Sequence, residues 1–195
     1  MSEKNIEKLI VDCATSFFSK FGFAKTTMDE IAKHIHKAKG VLYYYFKSKE
    51  ELFNEVLKQE LSIVKSELSQ VVEKEDDSLI ILKEYILIRL KLLYKALNYH
   101  ETLKADFFEK YHFVNDVRAD FDDFERSNLT IILNKGKQDG YFNFKDLNSA
   151  VNVIMMILNS IEIPLFIQNL YPVYENTIEE LSSMVVNSLK SPQYK

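Results

Sequence analysis

The amino-acid sequence predicts an all-α protein, with a small N-terminal bundle of three helices followed by a larger helical domain. Three observations carry this prediction. Only 4 glycines and 3 prolines punctuate 195 residues, and so few breakers favour long helices over a sheet of many short strands. Apolar residues recur at three- and four-residue spacing along most of the chain, and no segment alternates cleanly between hairpin-type turns. Two Ser/Thr-x-x-Glu signatures, Thr27 to Glu30 and Ser48 to Glu51, stand where apolar periodic runs begin, as capping boxes do.

The first helix carries Ile6, Leu9, Ile10, Cys13, Ala14, Phe17, Phe18 and Phe21 on one face, and Gly22 ends it, since glycine adopts the left-handed cap conformation cheaply. The second opens at Thr27 and presents Met28, Ile31, Ala32 and Ile35. A short turn, His36-Lys37-Ala38, leads to a third helix from Lys39 to Phe46. Ser48 opens a long fourth helix with Leu52, Phe53, Val56, Leu57, Leu61 and Val64 on its apolar face. The acidic run from Glu73 to Asp77 is a connection, and a fifth helix spans about 79–97. Aromatic-rich helical segments cover about 103–113 and 114–137, closed by Gly140. A helix from Leu147 is broken at Pro164, and the last runs from about Tyr174 to Leu189. Proline removes a helical N–H and clashes with the preceding turn.

Charge and cysteine usage narrow the function classes. Residues 1–50 hold nine lysines against six acids, whereas the remainder has 16 basic and 23 acidic residues, inside a net charge of -4. A basic head on an acidic body suits a head that meets phosphate. The one cysteine, Cys13, cannot form an internal disulfide, and the four histidines show no metal-ligand spacing, so neither a metal nor a cofactor is expected. No nucleophile elbow, phosphate-binding loop, dinucleotide fingerprint or zinc-protease helix is present, which speaks against an enzyme. The most apolar run, Val151–Ile167, is interrupted by Asn152, Asn159, Ser160, Glu162 and Pro164. It therefore reads as a core helix rather than a membrane span. The N-terminus lacks a signal-peptide core, and a soluble cytoplasmic protein is the expectation.

Two short helices joined by a three-residue turn, followed by Tyr43-Tyr44-Tyr45-Phe46, read as a helix-turn-helix, whose second helix enters the major groove of DNA. Lys39 and Lys49 flank that helix within reach of phosphates. Gly40 would let backbone approach DNA closely, and tyrosines can donate to phosphate oxygens or touch thymine methyls. Leu42 and Phe46 are expected in the core, and Tyr45 is the inward member of the tyrosine run, because three consecutive helical residues cannot share a face. The string Phe17-Phe18, Gly22-Phe23, Thr26-Thr27-Met28-Asp29-Glu30-Ile31-Ala32 and Lys39-Gly40-Val41-Leu42-Tyr43-Tyr44-Tyr45-Phe46-Lys47-Ser48-Lys49-Glu50-Glu51-Leu52 resembles the N-terminal domain of the TetR family of bacterial regulators, over about residues 3–63.

The resemblance implies a helix-turn-helix DNA-binding domain at 1–48 and a helical effector-binding and dimerisation domain at 49–195. It implies a ligand-responsive regulator, a repressor by family default, that binds a pseudo-palindromic double-stranded operator as a homodimer. The alternative is a helical protein-interaction module, or an activator without a small-molecule effector. On this reading Thr27, Lys37, Lys39, Gly40, Tyr43, Tyr44 and Lys49 meet DNA. The chain departs from the family pattern in the turn: His36 stands at a usual glycine, Lys37 at a usual apolar residue, and Ala38 at a usual capping Ser/Thr. Val41 replaces a common Thr. The turn is thus expected to be poorly capped, with Lys37 offering a new phosphate contact.

In the second domain, aromatic residues including Phe107, Phe108, Tyr111, Phe113, Phe121 and Phe124 crowd the middle of the chain, and Arg89 sits inside the apolar run from Tyr85 to Tyr94. An apolar pocket with a few convergent polar groups is the usual form of a small-molecule site. The expected lining is Tyr85, Arg89, Phe113, Phe124, Asn128, Met155 and Asn159, for a largely apolar effector whose acidic group, if it has one, pairs with Arg89. Bland roles compete: aromatics as core, and Arg89 paired with an acid. Self-association is expected through the last two helices, with Val151, Ile154, Leu158 and Ile161 on one and Ile178, Leu181, Val185, Val186 and Leu189 on the other.

Overall fold

The computed structural model describes residues 3–194, without the side chains of Glu3, Lys4, Asp106, Phe108 and Glu109; the expected role of Phe108 therefore lies outside the described residues. The described residues form helices joined by short connections, with no strand beyond one isolated antiparallel bridge between Phe142 and Lys190. Ten α-helices follow in order: α1 Glu3–Phe21, α2 Met28–His34, α3 Lys39–Tyr45, α4 Lys49–Val72, α5 Ser78–Lys95, α6 Leu97–Thr102, α7 Ala105–Lys110, α8 Asn115–Gln138, α9 Leu147–Ser160 and α10 Tyr171–Leu189.

Two compact units emerge. The first comprises the chain to Ser62 together with Ala96–Val117; the second comprises Ile63–Lys95 and Arg118–Lys195. The helix α4 is one continuous element of 24 residues that begins in the first unit and ends in the second, and the segment 96–117 joins the first unit by specific contacts. The Glu60 carboxylate of α4 accepts hydrogen bonds from the Asn98 side-chain amide at 2.7 Å and from the Tyr99 backbone N–H at 3.1 Å. It thereby supplies the side-chain cap that Ala96, preceding α6, cannot. The Asn54 amide donates to the Phe113 carbonyl at 2.9 Å. Phe23, Phe53, Phe107, Tyr111 and Phe113 form a ring cluster with centroids 4.8–6.1 Å apart, within the range where edge-to-face aromatic contacts add to burial.

Local signals hold in the first unit. Gly22 ends α1 at φ +81°, and its N–H donates to the Phe18 carbonyl at 2.8 Å. The Thr27–Glu30 capping box is complete. The second box is shifted: Ser48 caps the Glu51 N–H, but the Glu51 carboxylate accepts from Lys47 N–H rather than from that of Ser48.

In the second unit α10 starts at Tyr171, three residues before the expected start. Pro172 lies in its first turn, where the missing N–H costs nothing and the fixed φ suits the helix. The expected break at Pro164 is a wide π-helical turn, Ile163–Ile167, beyond the end of α9. The segment Leu147–Ile167 is long and apolar enough to cross a membrane by composition. Its Glu162, however, is buried and ion-paired to Arg89 within the protein, the behaviour of a core segment.

Candidate nucleic-acid interface and effector site

The first unit builds a closed core that turns one helix outward. Leu42 and Phe46 are buried with Ile31, Ala32, Phe18 and Phe53. That fixes which side of α3 is left outside: Tyr43 is 42% and Tyr44 73% exposed, while Tyr45 is half-buried, and Lys39 and Gly40 are exposed. A Cβ added to Gly40 would meet nothing within 4 Å. The Lys39 ammonium lies 3.1 Å from the Asp29 carboxylate and 5.7 Å from the Tyr43 ring centre. It therefore links α2 to α3 on the surface, and its hydrogen bond to Asp29 raises its pKa. Thr27 is exposed at the start of α2, its hydroxyl engaged with Glu30. Lys37 is half-buried in the turn.

The turn carries the strain its sequence announces. His36 has φ +53°, a left-handed conformation that costs an L-residue with a Cβ about 1–2 kcal/mol. Ala38 is the N-cap of α3 and gives it no side-chain hydrogen bond, as the loss of Ser/Thr there implies.

Lys49 makes contacts that its place in the sequence did not announce. The expectation was an ammonium directed at phosphate. The structure instead directs it inward: its Nζ donates to the carbonyls of Phe23 at 2.8 Å and Thr26 at 3.0 Å, and lies 4.3 Å from the Phe23 ring centre. Partial burial lowers its pKa. An ammonium has three donors, and two are spent holding the α1–α2 connection. The pattern Lys-x-x-Leu-Phe at a helix start gave no sign of this, because its partners are backbone carbonyls 23 and 26 residues away in sequence.

The second unit contains a buried charge cluster. Arg89 of α5 is fully buried. Its guanidinium pairs two-pronged with Glu125 of α8, through Nε to Oε1 and through Nη2 to Oε2 at 2.9 Å. The same Nη2 donates to the Glu162 carboxylate at 2.8 Å and to Asn159 Oδ1 at 3.1 Å. Glu125 is fully buried and Glu162 nearly so, whereas Asn159 is exposed at the edge of the cluster. Beside it, the Tyr85 hydroxyl and the Asn128 Nδ2 are buried facing one another, short of good hydrogen-bond geometry. Burial pushes the Tyr85 phenol far above its usual range, and Glu125 adds to the effect. Burial also raises the pKa of Glu125, with Arg89 pulling the other way and Glu162 and Asp122 reinforcing it. On the outer side, Asp122 is raised by burial and opposed by Arg118.

Four of the seven expected lining residues, Tyr85, Arg89, Asn128 and Asn159, are thus brought together. Met155 is buried on α9, one turn before Asn159 and on the same face. Phe124 is half-buried, stacked on Phe121 at 6.4 Å. Phe113 does not belong: it lies in the first unit, in the ring cluster around Phe23. In this structure the Arg89 guanidinium pairs with two carboxylates of the chain itself. Glu125 escaped sequence reasoning, since one acid in the polar stretch Asp122-Asp123-Phe124-Glu125-Arg126 reads as a solvated face. Its only signal was helical spacing, four residues from Phe121 and from Leu129, both buried.

Comparison with known proteins fits this geometry. The family model described as "Bacterial regulatory proteins, tetR family" matches residues 10–56. Residues 10–56 carry a TetR-family domain. It is 42% identical to the uncharacterized HTH-type transcriptional regulator YhgD of Bacillus subtilis over 67 residues, 34% of this chain and 35% of that protein. It is 26% identical to the HTH-type transcriptional regulator QacR of Staphylococcus aureus over 162 residues, 80% of this chain and 84% of that protein. Among solved structures, a transcriptional regulator from Cytophaga hutchinsonii superposes with a TM-score of 0.78 at 23% identity, covering 94% of this chain and 98% of that one. FadR from Bacillus subtilis, in complex with stearoyl-CoA, superposes with a TM-score of 0.70 at 19% identity, covering 94% and 97%. The two solved structures share the fold across nearly the whole chain. The higher sequence identity is confined to a short stretch.

Proposed function

We propose that this TetR-family chain is a cytoplasmic, ligand-responsive repressor that binds a pseudo-palindromic operator as a homodimer. The observation that supports it most directly is the outward face of α3. A buried Leu42 and Phe46 lock the helix down, and Lys39, Gly40, Tyr43 and Tyr44 are left exposed together. A cation, a backbone-approach point and two hydroxyls suit phosphate and base-edge contacts in a major groove. Thr27 and Lys37 extend the contact surface to α2 and the turn, and Lys49 contributes with the one ammonium donor that its carbonyl partners leave over.

Self-association is supported by a second apolar stripe on the last two helices. The residues expected to face a partner, Val151, Ile154 and Leu158 with Ile178, Val185 and Val186, are buried within the subunit. The apolar residues left outside are Val153 and Met156 on α9 and Val173, Tyr174 and Met184 on α10. Helices apolar on two faces need cover from another surface. Induction would run through α4, which is continuous from Lys49 to Val72: an effector that favours one packing of the second unit displaces α4, Ser48 and the attached α3. About 1–3 kcal/mol of coupling changes DNA affinity 5- to 150-fold.

The test is a gel-shift and footprint against fragments around the chain's own gene. A two-fold symmetric footprint with half-sites about one helical turn (roughly 34 Å) apart is the expected result. Absence of any shift at low salt, where phosphate contacts are strongest, would leave the helical interaction module as the better reading.

A further inference from the structure

We propose that α3 reads its operator through thymine methyl groups, with Tyr44 as the specificity-determining side chain and Gly40 as the open step beside it, and that guanine carries less of the recognition. The proposal rests on the operator-binding reading above and names the base that its recognition helix selects.

The residue types on hand come first. In the major groove, Arg or Lys reads guanine and Asn or Gln reads adenine, whereas an apolar side chain meets the thymine methyl. Between Asn5 and Asn54 the chain holds no Arg, Asn or Gln, and α3 itself runs Lys-Gly-Val-Leu-Tyr-Tyr-Tyr. Its one cation, Lys39, is drawn toward α2 by Asp29 at 3.1 Å. The outward face beyond it is therefore aromatic.

Geometry singles out one ring. Tyr44 is the most exposed large hydrophobic side chain among the described residues. Its ring is nevertheless oriented, edge-on to Tyr45 at 5.1 Å and 85°, and Tyr45 is half-buried behind it. Tyr43 has the Lys39 ammonium 5.7 Å from its ring centre, so Tyr44 supplies the apolar wall. Gly40, Tyr43 and Tyr44 share a face at i, i+3 and i+4. A Cβ on Gly40 would meet nothing within 4 Å, which leaves room for one methyl carbon at van der Waals distance, about 4 Å. A thymine methyl seated there leaves water for an aromatic wall. Cytosine in its place has no methyl and turns an amino donor toward a ring instead of a carboxylate.

The experiment selects a binding sequence with the full-length protein from a pool of duplexes with a randomised core. In the selected duplex, each thymine is replaced in turn by deoxyuridine, which lacks only the methyl, and each guanine by 7-deazaguanine, which lacks the N7 acceptor. One thymine per half-site is expected to matter: loss of its methyl weakens binding about fourfold, and about 15-fold when both half-sites are changed, as for one buried methyl-sized group at each. Loss of any guanine N7 weakens it less. In Tyr44→Ala the affinity ratio of thymine to deoxyuridine duplex falls toward one, in Gly40→Ala, which fills the step, it also falls, and Tyr44→Phe retains it. The ratio compares two duplexes on one protein, so a partial loss of folded protein cancels. A guanine N7 that matters more than every thymine methyl, or a methyl preference that Tyr44→Ala leaves intact, overturns this inference and leaves the operator reading standing. A pool that enriches no sequence, with no duplex shifted at low salt, overturns both.

Discussion

The Lys49 ammonium lies 2.8 Å from the carbonyl oxygen of Phe23 and 4.3 Å from the centre of the same residue's ring. One side chain thus holds both the backbone and the aromatic face of the residue just past the α1 cap. Charge-assisted hydrogen bonds and a cation–π contact are each worth about 1–2 kcal/mol when partly shielded, less where solvent screens them. Lys49→Ala is therefore expected to lower stability by about 1–2 kcal/mol in urea unfolding. Lys39→Ala, at an exposed surface pair, leaves the unfolding midpoint nearly unchanged and lowers the salt slope of DNA binding by about one. Equal effects of the two substitutions on stability would contradict this division of roles.

The turn before α3 offers two stabilising changes. Ala38 caps the helix without a side-chain bond, and Ser at an N-cap is worth about 1 kcal/mol over Ala. His36 is held at φ +53°. Glycine relieves about 1–2 kcal/mol of left-handed strain and gives back about 0.5–1 kcal/mol through its freer unfolded chain. Ala38→Ser and His36→Gly should each raise stability by about 0.5–1 kcal/mol, read from the denaturation midpoint. No gain from either would mean the turn is already satisfied by other contacts.

Two glycines separate function from packing. Gly40 has open space where a Cβ would go, so Gly40→Ala stabilises α3 by about 0.5–1 kcal/mol through helix propensity. It should weaken operator binding if DNA backbone approaches there. Gly136 is the opposite case. A Cβ would lie 2.3 Å from the Phe142 ring and 2.8 Å from the Ser78 Cβ, and Phe142 is buried. Overpacking costs about 1–3 kcal/mol, which exceeds the propensity gain. Gly136→Ala is expected to lower the melting temperature while Gly40→Ala raises it, a difference that thermal unfolding of the two variants reads directly.

What the sequence disclosed follows the range of the forces involved. Caps, turns and helix faces depend on neighbours within about four residues. Thus Thr27 with Glu30, Gly22, and the burial of Leu42 and Phe46 were legible, as was the exposure of Tyr43 and Tyr44. The carbonyl partners of Lys49, the Glu125 and Glu162 partners of Arg89 and the Glu60–Asn98 contact join residues 23 to 73 positions apart. No periodicity records them. Arg89 stood out because a cation inside an apolar run, at helical spacing from Tyr85 and Leu93, must be compensated if that face is buried. Which acid compensates it depends on how α5, α8 and the end of α9 pack. Phe113 failed for the same reason: an aromatic on an apolar stretch says that it is buried, not in which of two cores.

The last prediction concerns Glu60, whose carboxylate gathers the Asn98 amide and the N–H of Tyr99 at the start of α6. Burial raises its pKa above the ordinary carboxylate value, against hydrogen bonds that lower it. The sign of the pH effect follows. A group whose folded pKa is raised binds its proton more tightly in the folded state. Its contribution to stability is therefore complete below the unfolded pKa and declines as the pH rises through the folded one. Glu60→Gln cannot ionise, and it replaces one acceptor oxygen by a donor that faces another N–H. It should lose about 1–2 kcal/mol of capping at acid pH. As the pH rises, wild-type stability from this site declines and the variant's does not, so the deficit narrows. Glu125 and Asp122 titrate in the same direction but are common to both proteins, so the difference between the two curves isolates Glu60. Urea unfolding of wild type and variant from mildly acid to neutral pH measures it. A deficit that widened with pH would mean that the converging N–H groups outweigh burial and that Glu60 is held ionised.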